Sequence, residues 1–330
     1  MTNPTLKKIA DTLGCSISTV SRALKYHPDI SVKTREKVLE LANTLEYEPN
    51  AFAVHLRTKN SMVIGLMVPV IANYFYESFI TAIEEESRKN GYTLMILQSA
   101  NDPLIELANI KLFRQNRVSG LFVCALPDSD NINQLIKLKE LNIPVVFFDN
   151  VPNQNGINKS CIADELAASI AAETILKSKK KHITALFGDA RLTITQKRLK
   201  ALETTIHKNN SSMLINILHA INSDDAENKI AGQLSNLKKS SIIFCMSDEL
   251  LIGAMRAIQN KQLKIPNDIS VISISNGFIP KLYYPSITYI ETSGYKLGKL
   301  AFTQMLACIS GAIVVEELTL DAALVEGGSI

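Results

Sequence analysis

The chain lacks the features of an exported or membrane-spanning protein. Its 330 residues include five cysteines, an odd number, and none of them forms a CxxC pair. This spacing argues against a zinc site or a disulfide framework and fits a reducing cytoplasm. No apolar run follows basic residues at the N-terminus, and the first long apolar stretch, residues 62–72, is too short to span a bilayer. We therefore expect a cytoplasmic protein without a membrane partner.

The chain also lacks the motifs of common enzyme classes. It has no GxGxxG after a strand-like run, no GxxxxGK[ST], no HExxH and no GxSxG. Its five histidines show no metal-ligand spacing. Asp149 and Asp248 follow strand-like runs and could in principle be catalytic, although acids in such places are more often helix caps or ligand acceptors. The absences predict a protein that is not an enzyme and has no cofactor or metal.

Positive charge is concentrated at the N-terminus. The net charge is +3, and the first 60 residues hold nine lysines and arginines against six acids, so the whole excess lies there. A segment of this kind suits a polyanionic partner. The alternative is chance clustering of charges on a solvated face.

The N-terminal residues have the pattern of three short helices. Thr5 can cap a first helix whose apolar positions follow helical spacing, and Gly14 can end it in a sharp turn. Ser16 can cap a second helix over residues 17–24, and Ser31 a third. Two short helices joined by a tight turn, with a third to close the core, predict a helix-turn-helix. The outward face of its second helix would carry small hydroxyls and one arginine, which can approach phosphates and base edges: Ser16, Ser18, Thr19, Ser21 and Arg22.

Two segments make the resemblance specific. LKKIADTLGCSISTVSRAL, residues 6–24, and YEPNAFAVHLRT, residues 47–58, resemble the DNA-binding head and the hinge of the lactose/galactose repressor family. The resemblance implies that Ile17, Ser18 and Arg22 read bases in the major groove, while Ser16, Thr19 and Ser21 position the helix on phosphates. It implies that Leu56 of a short hinge helix wedges into the minor groove; a plain linker is the alternative. The full predicted DNA-binding set is Thr5, Leu6, Ser16, Ile17, Ser18, Thr19, Ser21, Arg22, Asn50, Ala53 and Leu56.

From residue 62 onward, short apolar runs alternate with amphipathic stretches. The runs cover residues 62–69, 93–97, 120–124, 144–149, 182–188, 241–245 and 269–274. Continuous apolar strands separated by helices indicate parallel sheets covered on both faces. Their number favours two doubly wound parallel-sheet subdomains, which by the resemblance are of periplasmic-binding-protein type. Ligands bind beyond the carboxyl ends of such strands, so a cleft between the subdomains is expected to hold one.

The resemblance also implies which residues contact a small-molecule effector. Asn73, Phe75 and Tyr76 are similar to an aromatic lid, Asp149 to an acceptor for hydroxyls, and Arg198 to an arginine that grips hydroxyls or an anion. Core packing, helix caps and ion pairs are the alternatives. Four further positions complete the expected effector set: Phe244, Ser247, Ser275 and Thr292. Three of these (Ser247, Ser275 and Thr292) are shorter or uncharged compared with the family's usual residues. The predicted effector is therefore a sugar or sugar derivative, with a larger, less hydroxylated or phosphorylated ligand also allowed.

These inferences give one domain organisation and one function. We expect a helix-turn-helix head at 1–48, a hinge at 49–60 and a core at 61–330. The core would consist of subdomain one, about 61–162 plus 293–320, and subdomain two, about 163–292. The predicted protein is a homodimeric transcriptional repressor whose affinity for a pseudo-palindromic operator in double-stranded DNA is changed by its effector. The alternative is a solute-binding protein of the periplasmic type without a role on DNA.

Overall fold

The computed structural model describes residues 4–47, 61–127, 129–209, 212–234, 241–312 and 316–330. The chain divides into two compact units, residues 1–60 and 61–330.

Residues 4–47 of the first unit form the helices α1 (Leu6–Leu13), α2 (Ile17–Leu24) and α3 (Val32–Thr44). The hydroxyls of Thr5, Ser16 and Ser31 each accept a hydrogen bond from the backbone N–H three residues later, at 3.2, 3.1 and 3.3 Å. Gly14 ends α1 with a φ of +62°, a conformation that glycine adopts without steric cost. The predicted helix-turn-helix is confirmed, and its buried core consists of Ile9, Ala10, Val20, Ala23, Val38 and Ala42.

The second unit contains two six-stranded sheets. The strands of the first sheet are β1 (Val63–Val68), β2 (Thr93–Gln98), β3 (Gly120–Val123), β4 (Val145–Phe148), β5 (Asn158–Ile162) and β11 (Glu317–Leu320). They follow the order β11-β5-β4-β3-β1-β2, and every neighbouring pair is parallel. The helices packed with this sheet are α4 (Tyr74–Lys89), α5 (Pro103–Gln115), α6 (Ile132–Lys137) and α11 (Gly294–Ile309).

The second sheet repeats this plan with one difference. Its strands are β6 (His182–Phe187), β7 (Leu214–His219), β8 (Ser241–Cys245), β9 (Ser270–Ser275), β10 (Thr288–Glu291) and β12 (Ala323–Val325), and its helices are α7 (Asp164–Lys177), α8 (Thr193–Asn209), α9 (Ser223–Leu234) and α10 (Asp248–Asn260). The order is β12-β10-β9-β8-β6-β7, parallel except that β12 pairs antiparallel with β10. The fold class expected from the sequence, a helical head with two doubly wound α/β subdomains, is confirmed.

The chain passes between the two sheets after β5, after β10 and after β11. The third passage leads from Leu320 in the first sheet to Ala323 in the second. Because β12 enters the second sheet from the edge where the parallel strands end, it runs against them. The last residues of the chain therefore belong to the second sheet, and the hydroxyl of Ser329 fixes them by donating to the carbonyl oxygen of Val271 at 2.6 Å.

Two helical glycines have opposite surroundings and give a first prediction. A Cβ atom at Gly253 in α10 would lie 2.1 Å from the carbonyl oxygen of Ser223, whereas one at Gly232 in α9 would meet nothing within 4 Å. Gly253→Ala should therefore lower the free energy of unfolding by about 1–3 kcal/mol through overpacking. Gly232→Ala should raise it by about 0.5–1 kcal/mol, the ordinary advantage of alanine inside a helix. Urea unfolding measures both; equal shifts in one direction would contradict the close packing of α9 against α10.

Candidate functional site

The α2 helix of the first unit presents a polar face with one apolar side chain. Ile17, the first residue of the helix, is 48% exposed, and Ser18 and Arg22 are exposed as well. The opposite face, with Val20 and Ala23, is buried in the three-helix core. The packing of α2 therefore holds the three predicted base-contacting residues on one accessible surface.

Hydroxyl groups form a connected cluster at the start of α2. The Ser16 Oγ atom lies 2.7 Å from Ser18 Oγ and 2.8 Å from Thr19 Oγ1 while it caps the helix. Ser21 is half-buried one turn further on. A hydroxyl both donates and accepts hydrogen bonds, so this cluster can contact phosphate oxygens beside a helix N-terminus.

The loop between α2 and α3 places an acid next to this surface, and an arginine of α3 binds the loop. The Asp29 Oδ2 atom lies 3.9 Å from Nη1 of Arg22, and both side chains are exposed. The guanidinium of Arg35 donates through Nη2 to the carbonyl oxygens of His27 and Ile30, at 3.1 and 3.3 Å, and lies over the ring of Tyr26. Arg35 thus holds the loop that carries Asp29, a role that the sequence did not indicate.

The remaining predicted DNA-binding residues have mixed positions. Thr5 is exposed and caps α1, whereas Leu6 is half-buried and packs against the three-helix core. Asn50, Ala53 and Leu56, with the predicted hinge at 49–60, lie outside the described residues.

A cavity of about 670 Å³ lies between the two sheets of the second unit, at the carboxyl ends of their strands. Both subdomains contribute to its lining. Eight of the nine predicted effector residues border it, namely Asn73, Phe75, Tyr76, Asp149, Arg198, Ser247, Ser275 and Thr292. Phe244 does not: it lies within β8 rather than after the strand end, and its side chain is fully buried in the core of the second sheet. Phe244 therefore drops out of the candidate set.

Asp149 forms the centre of a polar group in the first subdomain. The Tyr76 hydroxyl donates to Asp149 Oδ2 at 2.8 Å, and the Cys124 thiol lies 3.8 Å from the same oxygen. Burial raises the pKa of Asp149, while the hydrogen bond from Tyr76 lowers it. Burial and the adjacent carboxylate also raise the pKa of Tyr76 well above its usual value, which keeps its hydroxyl protonated as a donor.

Arg198 is occupied by the protein itself. Its Nε and Nη2 atoms each lie 2.8 Å from Asp164 Oδ1, and Nη1 donates to the carbonyl oxygen of Met246 at 2.7 Å. Both members of the ion pair are almost fully buried. Burial raises the pKa of Asp164 to about 6, against the opposing attraction of Arg198. The arginine thus borders the cavity as half of a buried ion pair, one of the alternatives that the sequence left open.

In the second subdomain, Asp248 organises the ends of β9 and α10. Ser275 Oγ donates to Asp248 Oδ1, and the backbone N–H of Asn276 donates to Oδ2 at 2.9 Å. Thr292 Oγ1 donates to the carbonyl oxygen of Ser275 at 3.3 Å, and Ser247 caps α10. Asn73 has the same capping role at α4. Most short polar residues of the predicted set thus hold the backbone in place around the cavity.

Asn276 connects the two subdomains next to this cavity. Its Nδ2 donates to the carbonyl oxygen of Tyr74 at 3.1 Å, and its Oδ1 accepts from the Ser78 hydroxyl and the Gly294 backbone N–H at 3.2 and 2.8 Å. The Tyr74 ring also lies 5.9 Å from the ring of Phe278. Neither Asn276 nor Asp164 was predicted from the sequence, although Asn276 directly follows β9 and Asp164 nearly follows β5, as Asp149 follows β4.

No helix among the described residues is long and apolar enough to cross a membrane. Within the same ranges, no three His, Cys, Asp or Glu side chains are grouped in a way that could hold a metal ion.

Comparisons with known proteins agree with both units. The model for bacterial regulatory proteins of the lacI family matches residues 5–50, and that for a periplasmic binding protein-like domain matches residues 172–330. The HTH-type transcriptional regulator DegA of Bacillus subtilis is 27% identical over 89% of this chain and 88% of its own length. The HTH-type transcriptional repressor PurR of Histophilus somni is 27% identical, with 93% and 92% covered. A lac repressor dimer bound to operator and the anti-inducer ONPF superposes with a TM-score of 0.90 at 24% identity over 99% of both chains.

A helix-turn-helix head joined to a periplasmic-binding-type core defines a class of proteins, the DNA-binding transcriptional regulators whose core binds an effector. Residues 172–330 match the periplasmic binding protein-like domain, and residues 5–50 match the lacI family of bacterial regulatory proteins. This is a family of regulators rather than of enzymes.

Proposed function

We propose that this chain is a cytoplasmic, homodimeric repressor whose affinity for a two-fold symmetric DNA site changes when a small hydroxylated molecule occupies the cavity between its sheets. The observation that carries the proposal is the lining of that cavity, because polar strand-end residues from both subdomains border it.

The DNA-binding part of the proposal rests on the exposed face of α2. Ile17 offers an apolar contact for a thymine methyl group, and the fork of Arg22 suits the two acceptors of guanine. The hydroxyls of Ser16, Thr19 and Ser21 would contact phosphates. Two copies of this helix, about one helical turn of DNA apart, would read a pseudo-palindrome. The lac repressor, which has a similar fold, is bound to its operator as a dimer.

Dimerisation is supported by apolar side chains on the surface of the first subdomain. Leu104 and Leu112 of α5 are 75% and 41% exposed, so the described residues do not bury either side chain. Exposed apolar patches are typical of protein interaction sites. We propose that this face of α5 joins two copies of the chain.

Regulation would follow from the position of the cavity between two subdomains. A ligand that contacts Asp149 in one subdomain and Ser275 in the other favours one angle between the two subdomains. Asn276 links that angle to the end of β9, because it binds both Asp248 of the second subdomain and Tyr74 of the first. Typical allosteric coupling of about 1–3 kcal/mol would change DNA affinity about 5- to 150-fold. A related regulator from Alkaliphilus metalliredigens, with a TM-score of 0.71 and 22% identity over 82% of this chain and 99% of its own, holds D-xylulofuranose.

Removal of residues 1–60 distinguishes this function from that of a free solute-binding protein. The remaining chain, 61–330, is expected to lose sequence-specific DNA binding and to keep its ligand in the cavity. Fluorescence anisotropy with labelled DNA and calorimetry with the ligand measure the two properties. DNA binding that survives the truncation would contradict the proposal.

Asp29 gives a more specific prediction for the head. Its carboxylate lies beside Arg22 and would face the DNA phosphates, which repel it. Asp29→Asn should therefore tighten DNA binding about two- to fivefold, as expected for one exposed charge pair, equally for specific and scrambled DNA and less at high salt. Anisotropy at two salt concentrations measures the effect, with the exposed Asp11→Asn on α1 as the matched control. Weaker binding by Asp29→Asn would show that Asp29 instead positions Arg22.

A further inference from the structure

The cations that border the cavity are already neutralised by carboxylates. Arg198 is paired with Asp164 in a contact that is almost fully buried, and Arg191 lies 2.6 Å from Asp189. No lysine or histidine borders the cavity among the described residues. An anionic ligand would therefore have to compete with an existing ion pair for each guanidinium, and separating the buried pair is costly.

The helix N-termini at the cavity offer little to an anion either, because neutral side chains cap them. Asn73 Oδ1 accepts from the backbone N–H groups of Phe75 and Tyr76 at the start of α4, at 3.0 and 3.4 Å. The Ser247 hydroxyl accepts from Leu250 in α10, and Asn150 Oδ1 accepts from Thr193 in α8 at 3.1 Å. The backbone donors that commonly bind phosphate are thus occupied at three helices.

Carboxylates, in contrast, border the cavity without a cation of their own. Asp149 is hydrogen-bonded by Tyr76 and Asp248 by Ser275 and the backbone of Asn276, all neutral donors. Glu249 is exposed at the same place. The charge of Arg198 reaches Asp149 but is shared with Asp164. Both hydrogen bonds that described residues give Asp149 go to Oδ2, which leaves Oδ1 as an acceptor.

We propose that the effector carries a positively charged nitrogen and no phosphate or carboxylate group, as in an amino sugar or another amine-bearing polyol. An ammonium group supplies three hydrogen-bond donors to the carboxylates, and the rings of Tyr74 and Phe75 at the cavity wall favour a cation. This inference rests on the proposed function, since it names the ligand class of the same site. It also replaces the phosphorylated ligand that the sequence allowed.

The test is a binding screen of the full-length chain against compounds sorted by charge. The set contains D-glucosamine, D-galactosamine and D-mannosamine, their parent sugars and 6-phosphates, and a fragment library with equal numbers of amines, neutral compounds and acids. Ligand-observed NMR measures binding to the wild type and to the variants Asp149→Asn and Asp248→Asn. Two variants are used so that one still tests the inference if the other misfolds. Asp224→Asn removes the same charge from an exposed site on α9 and is the matched control.

We expect amines to dominate the compounds whose binding depends on Asp149 or Asp248. Their affinity should fall roughly tenfold to a hundredfold in those variants, as for the loss of a charge-assisted hydrogen bond, and should be unchanged in Asp224→Asn. Cavity-dependent binding led by acids or neutral compounds, amines indifferent to both substitutions, or no cavity-dependent amine at all would each overturn the inference. Failure of the proposed function is distinguished by measuring DNA affinity in the presence of the cavity-bound compounds: if the proposed function is wrong, compounds of any charge leave that affinity unchanged.

Discussion

Replacement of Arg22 by alanine is expected to remove sequence-specific DNA binding while leaving the fold intact. The side chain is exposed on α2, and its nearest charged neighbour, Asp29, is 3.9 Å away at the surface, so little packing is lost. A bidentate arginine–guanine contact contributes about 1–3 kcal/mol of discrimination, or about 5- to 150-fold for each half-site. A dimer loses that contact twice. Anisotropy titrations with the preferred site and a scrambled sequence measure the loss.

Lys37→Ala is the matched control for this prediction. It removes one positive charge from an exposed position on α3, outside the face that we assign to base contacts. We expect it to weaken binding to both DNA sequences alike and to reduce the salt dependence, as a phosphate contact would. If Arg22→Ala behaved in the same way as Lys37→Ala, the assignment of α2 as the recognition helix would be wrong.

The largest effect on stability is expected from Arg198→Met. The substitution leaves the carboxylate of Asp164, 3% exposed, without its partner, and leaves the carbonyl oxygen of Met246 without a donor. Breaking a buried pair on one side typically lowers the free energy of unfolding by about 3–5 kcal/mol. Urea unfolding at pH 8 measures the loss. The double variant Arg198→Met/Asp164→Asn should recover more than half of it, because no buried charge is then left unpaired.

The stability of the single variant Arg198→Met should also depend on pH in a defined way. An aspartate whose pKa is raised on folding destabilises the protein as the pH rises, until the folded-state pKa is passed. In the wild type this loss of stability ends near pH 6, where Asp164 ionises in the folded chain. Without Arg198 the pKa of Asp164 rises further, so the variant continues to lose stability above pH 6. The difference between the two proteins should therefore be larger at pH 8 than at pH 5; an equal difference would mean that the charge of Asp164 is not what matters.

The sequence predicted the strands that carry a continuous apolar run. Each of its seven apolar runs corresponds to a strand, six of them inside a sheet and one, β2, at a sheet edge. Among the described strands it missed β5 and β10, which lie inside the sheets but carry polar residues in their sequences NKSCI and TYIE. It also missed β7, β11 and β12, which lie at sheet edges. Their exposed and half-buried residues alternate or are mixed, so they carry no continuous apolar signal.

The cavity was predictable in outline but not in its contacts. The rule that the carboxyl ends of parallel strands meet at one edge predicted a ligand cleft, and the resemblance to the repressor family identified Asp149 and Ser275 as residues of it. The sequence could not show that Arg198 is committed to Asp164, 34 positions earlier in the chain, because that pair depends on how α7 and α8 pack. For the same reason it could not reveal that Asn276 reaches the start of α4. The charge balance of the cavity follows from such long-range pairs rather than from its list of residues.

The most direct test of the central claim is selection of DNA from a random-sequence pool by the full-length chain and by Arg22→Ala at one fixed, moderate salt concentration. Salt is held constant because phosphate contacts make DNA affinity steeply dependent on it. The selection is run alone and with a mixture of sugars and amino sugars. A regulator built as described will enrich a two-fold symmetric site in the wild type and not in Arg22→Ala. A pool without an enriched sequence under both conditions, or the same site enriched by Arg22→Ala, would contradict the account.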